Sequence, residues 1–197
     1  MTHEIRILAG MQLEDRADEP KRLVGYAAVF DQETDIGGYF REVIRRGAFA
    51  EAIKRDDIHA LYNHDYGAVI GRRSAGTLKL AEDDHGLRIE VTPPNTQVAR
   101  DLIENIRAGN IDQMSFSFGM QGGKQTWDES GEIPLRSIEK FGSVNEVSIV
   151  PRGAYPTTEI GLRSLEDARL DRRRHNFNAA QMRRAMKLGL DLRTRGI

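Results

Sequence analysis

The spacing of apolar positions along the chain changes period several times, and each change predicts an element. Glu4–Gln12 and Leu23–Phe30 read as strands, the second a buried-looking run through Val24, Tyr26 and Val29. Gly37-Gly38 marks a turn, and Gly47–Arg55 has the spacing of a short amphipathic helix. Further strands are predicted over Ile58–Asn63, Ala68–Arg72 and Leu78–Leu80. Leu87–Val91 alternates cleanly and ends at Pro93-Pro94, which cannot extend a central strand because proline has no N–H to give the ladder.

Asn95 or Thr96 is placed to cap a helix that runs to Ala108 and stops at Gly109. Its apolar residues Val98, Leu102, Ile103 and Ile106 recur at helical spacing. Beyond it lie a strand over Gln113–Met120, a Gly-rich polar loop over Gln121–Glu132, and strands over Pro134–Lys140 and Ser143–Val150. Many strands with one or two inserted helices point to a β-rich α+β domain, a compact barrel or sandwich.

From Ser164 onward the texture changes. Leu165, Ala168 and Leu170, then Ala179, Met182, Ala185, Met186 and Leu190, fit broken amphipathic helices rich in arginine, and a solvated, partly disordered tail fits them equally. Charge marks the same boundary. The net charge of the 197 residues is -1, but from Arg163 on ten Lys/Arg face four Asp/Glu, leaving the preceding residues mildly acidic. The expected organisation is a domain over residues 1–162 and a basic tail over 163–197. The tail arginines are not interleaved with aromatics beyond Phe177, so a base-stacking platform is not indicated and nucleic acid is not an expected partner.

The chain has no cysteine, which removes disulfides, thiolate metal sites and cysteine nucleophiles together. No apolar run has the length of a signal peptide core or a membrane span, so a cytosolic setting without membrane contact is expected.

Two segments could carry chemistry. In Gln113-Met114-Ser115-Phe116-Ser117-Phe118-Gly119, strand alternation turns Met114, Phe116 and Phe118 to the core and Ser115 and Ser117 to the other face. That pattern suits a nucleophile on rigid backbone, and it equally suits an ordinary outer strand. His64, at the end of a strand entering a turn, is the residue type that most often activates a serine hydroxyl, although a plain turn histidine has the same pattern. Asp65, its neighbour, would point to the opposite face of a strand, so a more distant acid is preferred. Glu146 sits in the apolar run Ser143–Val150, where a carboxylate needs a partner or a task; an ion pair with an arginine would account for it as well. His59 and His64 fall on opposite faces of a strand and His85 lies in a turn, with no metal-binding spacing, so neither metal nor cofactor is expected.

Taken together, these segments resemble the prohead maturation proteases of tailed bacteriophages. The resemblance runs from about Gly25 to Tyr155. It rests on Gly25-Tyr26-Ala27-Ala28-Val29-Phe30, Arg46-Gly47-Ala48-Phe49, Leu61-Tyr62-Asn63-His64-Asp65, Ile70-Gly71-Arg72, Met114-Ser115-Phe116 and Asn145-Glu146-Val147-Ser148-Ile149-Val150, in that order. It implies an antiparallel β-barrel flanked by helices, distantly related to the herpesvirus assembly protease. The family's histidine falls on His64, its serine on Ser115, and Glu146 is the choice for the third member. Where many relatives have glycine after the Ser-Phe pair, this chain has Ser117, a same-face rival to Ser115. The implied activity is serine-type hydrolysis of scaffold, of the N-terminal extension of the major capsid protein, and of the protease itself, inside proheads assembling in the host cytoplasm. Backbone donors around Arg152-Gly153 would serve the oxyanion. Self-association is compatible with this reading. The alternative is a non-catalytic β-barrel assembly factor.

Overall fold

The computed structural model describes residues 4–9, 11–14 and 21–151, with short helical stretches at 165–166, 169–170, 173–174, 177–179 and 182–183. Thirteen strands and two helices follow one another among the described residues up to 151: β1 (Glu4–Ala9), β2 (Met11–Glu14), β3 (Arg22–Val29), β4 (Thr34–Ile36), β5 (Phe40–Ile44), α1 (Ala52–Arg55), β6 (His59–Tyr62), β7 (Asp65–Arg72), β8 (Leu78–Glu82), β9 (Gly86–Val91), α2 (Gln97–Arg107), β10 (Gln113–Gly119), β11 (Lys124–Asp128), β12 (Leu135–Lys140) and β13 (Ser143–Val150).

The strands form three sheets. One runs β1-β10-β13-β6-β7, a second β11-β12-β5-β4, and a third β2-β3-β9-β8. A β-rich architecture with few helices is therefore correct, while a purely antiparallel closed barrel is not what the described strands show. Two central pairs, β13 with β6 and β12 with β5, run parallel. In each, strands far apart in sequence meet without a hairpin, and such non-local pairing leaves no mark in local periodicity.

Alternation works best where it should. Met114, Phe116 and Phe118 of β10 are fully buried, and Phe116 and Phe118 pack with Phe49 and Phe141 at ring-centroid distances of 4.4–5.7 Å. Helix α2 is capped as expected by Thr96, whose side chain accepts the Ala99 N–H at 3.3 Å. It ends before Gly109, whose φ of 73° suits a residue without Cβ. Its buried residues Ala99, Leu102 and Ile103 join the main core.

Three features depart from the periodicity. Glu4–Gln12 divides into β1 and β2, which belong to different sheets. Strands β4 and β5, for which the periodicity predicts no strand, form a hairpin around the turn at Gly37-Gly38, which is where it was expected. The polar loop after β10 contains β11, an edge strand of alternating exposed and half-buried residues, too polar to signal itself.

At the start of the basic segment, Leu165 is buried against Ile36 and Phe40, with Tyr39 and Trp127 packed beside them. Arg169 reaches Glu129 at 3.2 Å.

Candidate active site

The site is built at one end of the five-stranded sheet. Strands β6 and β7 are joined by a two-residue turn, Asn63-His64, with Tyr62 and Asp65 paired across it. Both turn residues have positive φ, 54° and 60°, as the tight hairpin turn that matches strand twist requires. Asparagine and histidine are among the few side chains that occur there with some frequency. The turn lifts the His64 side chain out of the ladder to partial exposure, 27%.

Strand β13 passes beside this turn. Its Glu146 carboxylate is buried, 3% exposed, and Oε1 lies 2.9 Å from His64 Nδ1. The other oxygen, Oε2, accepts the Ser148 hydroxyl. The carboxylate in an apolar strand is thus occupied by a histidine and a serine rather than by an arginine. Asp65, next to His64 in sequence, is exposed and accepts the Gly67 N–H at 2.7 Å instead.

Strand β10 lies on the other side of β13, and the register sets Ser115 opposite Ser148 and Ser117 opposite Glu146. The two serines are not equivalent. Ser115 has no exposure, and its hydroxyl donates to the Arg6 carbonyl of β1 at 2.8 Å. Ser117 borders a cavity of about 280 Å³ that is also lined by His64, Glu146, Asn145, Tyr66 and Ile5. Asn145 Nδ2 reaches the Ser117 hydroxyl at 3.4 Å, where the β10–β13 register shifts. Tyr66 is 60% exposed at the rim. Its phenol is pushed to a higher pKa by partial burial and by the Glu146 charge, both of which disfavour a phenolate.

Behind β1 lies a buried charge cluster. The Arg6 guanidinium binds Glu42 at 2.5 and 2.7 Å and Glu4 at 2.7 Å, while Arg136 binds Glu4 at 2.5 and 2.8 Å and Glu42 at 3.0 Å. The four side chains are at most 7% exposed. Two cations and two anions balance, and the guanidiniums face the rings of Phe118 and Trp127. Burial alone would raise the Glu4 pKa, but the hydrogen bond and charge of Arg136, reinforced by Arg6, outweigh it and hold it at about 2.

The model of the caudovirus prohead serine protease family matches residues 11–171. The chain belongs to this family. It is accordingly a serine-type peptidase, and the family match spans every strand from β2 to β13. Among solved structures, this prohead protease is similar to the capsid assembly protease gp21 of bacteriophage T4. The two share 11% identity and a TM-score of 0.50, over 75% of this chain and 98% of the other, a likeness of fold. No curated protein sequence shows significant similarity to the chain.

The family motif points to His64, Ser115 and Glu146, with alternation leaving Ser117 on the same face as Ser115. The structure places His64 and Glu146 in contact, and Ser115 one strand away behind the Arg6 carbonyl. Ser148, Asn145 and Tyr66 were missed. Ser148 had a usable signal, since it lies two residues from Glu146 and so on its face of β13. Arg152-Gly153, the expected oxyanion donors, fall outside the described residues. His59 and His85 pack against Tyr66 and Tyr26. Among the described residues no group of three or more His, Asp or Glu could hold a metal.

Proposed function

We propose that this prohead protease matures the procapsid by cleaving scaffold, the N-terminal extension of the major capsid protein, and itself, inside proheads assembling in the bacterial cytoplasm. The observation that carries this reading is the His64–Glu146 contact beside a cavity walled by the serine-bearing strand β10. An ionised carboxylate can only accept a hydrogen bond, so Nδ1 carries the ring proton and Nε2 is left as the base. His64 then takes the proton of the serine as its oxygen attacks the scissile carbonyl, and returns it to the leaving amine. Water repeats the sequence on the acyl-enzyme. Backbone N–H groups around Arg152-Gly153 are the proposed oxyanion donors. Kinship with the herpesvirus assembly protease, residues 1–162 as the protease domain and residues 163–197 as a basic tail belong to the same proposal.

The family motif supports Ser115 as nucleophile. With its hydroxyl given to the Arg6 carbonyl and no exposed surface, Ser115 acts only once β1 shifts from β10. A second assignment, Ser117, is favoured by one observation, its place on the wall of the cavity. Alanine variants at both positions decide the matter in a capsid-processing assay. With Ser115 as nucleophile, Ser115→Ala loses cleavage by about 10³-fold or more while Ser117→Ala keeps most of it. The reverse result transfers the role to Ser117, and cleavage by both variants refutes a β10 nucleophile.

A further inference from the structure

Ser148 lies in the middle of β13 with no exposed surface, and the chemistry above gives it no part. It is not on the cavity wall. Its hydroxyl nevertheless makes two contacts that both lead to His64. Oγ accepts the backbone N–H of His64 at 3.2 Å and donates its own proton to Glu146 Oε2. The polarity is unambiguous, because a backbone N–H can only donate and a hydroxyl has a single proton to give. With the 2.9 Å contact between Glu146 Oε1 and His64 Nδ1, these bonds close a ring: imidazole, carboxylate, hydroxyl, and back to the histidine's own main chain.

Such a ring has a definite use at this turn. His64 holds a left-handed backbone conformation that side chains with a Cβ disfavour, so its placement must be enforced from outside. Strand β13 does so with two consecutive bonds. The Asn63 N–H donates to the Ile149 carbonyl at 2.9 Å, and the next N–H, that of His64, meets the Ser148 hydroxyl. As the chain leaves the β6–β13 ladder, a side-chain oxygen becomes the acceptor. The same oxygen, through its proton, fixes the second lobe of the Glu146 carboxylate, so the group has no freedom to turn away from Nδ1.

We infer that Ser148 is a positioning residue of the protease, holding the His64 turn and the Glu146 carboxylate in the arrangement in which Nδ1 is bound and Nε2 is free. The inference rests on the His64–Glu146 reading of the site. It is independent of whether Ser115 or Ser117 is acylated.

The test uses the full chain and a peptide spanning a mapped cleavage site of the capsid protein. Ser148→Ala lowers kcat by about 10- to 30-fold with KM within about twofold, since the substrate is bound but the base is misplaced. Ser148→Thr, which keeps the hydroxyl, stays within about threefold of the parent. In a Glu146→Ala background, Ser148→Ala costs less than about twofold, because residues acting through one network are not additive. The His64 Nδ1 proton resonance in histidine-labelled protein is read without turnover: present in the parent, it exchanges faster or disappears in Ser148→Ala. That readout stands even where the threonine variant fails to fold. An unchanged kcat in Ser148→Ala, an equal loss in both backgrounds, or an unaltered proton resonance overturns the inference. Full activity of Glu146→Ala by itself would show instead that the underlying reading of the site is wrong, and the inference falls with it.

Discussion

Glu146 presents one carboxylate oxygen to His64 Nδ1 at 2.9 Å while remaining 3% exposed. The pair joins strand β13 to the β6–β7 turn across a sequence separation of 82 residues. Glu146→Gln tests what the charge contributes. The amide fits the space, but its NH₂ can donate to Nδ1 and drive the ring proton to Nε2, where the base is needed. We expect kcat to fall by about 10³-fold or more with little change in thermal stability. Peptide hydrolysis and a melting curve measure the two. A variant within threefold of the parent would remove Glu146 from the mechanism.

The Asn63-His64 turn offers a separate handle on the same geometry. Asn63 is exposed and sits at φ 54°, so Asn63→Gly is compatible with the turn and should leave kcat and Tm near the parent. Asn63→Val puts a β-branched side chain in the left-handed region at a cost of about 1–2 kcal/mol. Its Tm should drop by several degrees and kcat should fall with it. Equal Tm and kcat in the glycine and valine variants would show that the turn conformation does not govern the histidine.

The Glu4–Arg6–Glu42–Arg136 cluster predicts an acid limit to stability. The folded pKa of Glu4, about 2, lies below its usual value of 4.5. A carboxyl with a depressed folded pKa contributes stability that is fully present above the unfolded value and is lost as pH falls toward the folded one. Urea midpoints measured from pH 6 down to pH 2 should therefore decline between about 4.5 and 2, and decline less steeply in Glu4→Gln. Arg136→Met, which leaves two buried carboxylates to Arg6 alone, should destabilise at neutral pH by about 3–5 kcal/mol. Parallel urea curves for Glu4→Gln and the parent across that pH range would contradict the assignment.

The basic segment is tied to the body at Leu165, which is buried on the β4–β5 sheet, and at the exposed Arg169–Glu129 pair. Of these two, deletion of Arg169–Ile197 spares the Leu165 packing and removes the Arg169–Glu129 pair, and an exposed ion pair contributes little to stability. Peptide cleavage by the truncated chain should stay within about twofold of the parent, while its incorporation into proheads falls. Loss of peptide cleavage would place the segment inside the catalytic fold.

Legibility in the sequence followed locality. Helix α2, with its cap at Thr96 and stop at Gly109, could be read from the consecutive residues 96–109 because everything that defines it lies within them. The apolar face of β10 could be read for the same reason. The parallel β13–β6 pairing could not, since its partners are 87 residues apart in sequence. Glu146 was noticed because a carboxylate in an apolar run needs an explanation, and His64 because of its residue type. Glu4, Arg6, Glu42 and Arg136 raised no such question one by one. Each is an ordinary charged residue in its own segment, and only the meeting of β1, β5 and β12 makes them a buried cluster. Burial of Ser115 was equally hidden, because alternation distinguishes the two faces of a strand but does not say what covers the second.

Arg6 belongs to both halves of that hidden structure. Its carbonyl holds the Ser115 hydroxyl, and its guanidinium is bound into the charges that join the first strand to the second sheet. A peptide unit and a side chain of one residue are therefore both anchored, the first on Ser115 and the second on Glu4 and Glu42. Displacing the β1 backbone at Arg6 would therefore disturb both the acceptor of the serine and ion pairs that are out of reach of water. Through Glu4 and Arg6, strand β1 is thus part of the interior, and a pull on that strand would reach the residue that holds Ser115.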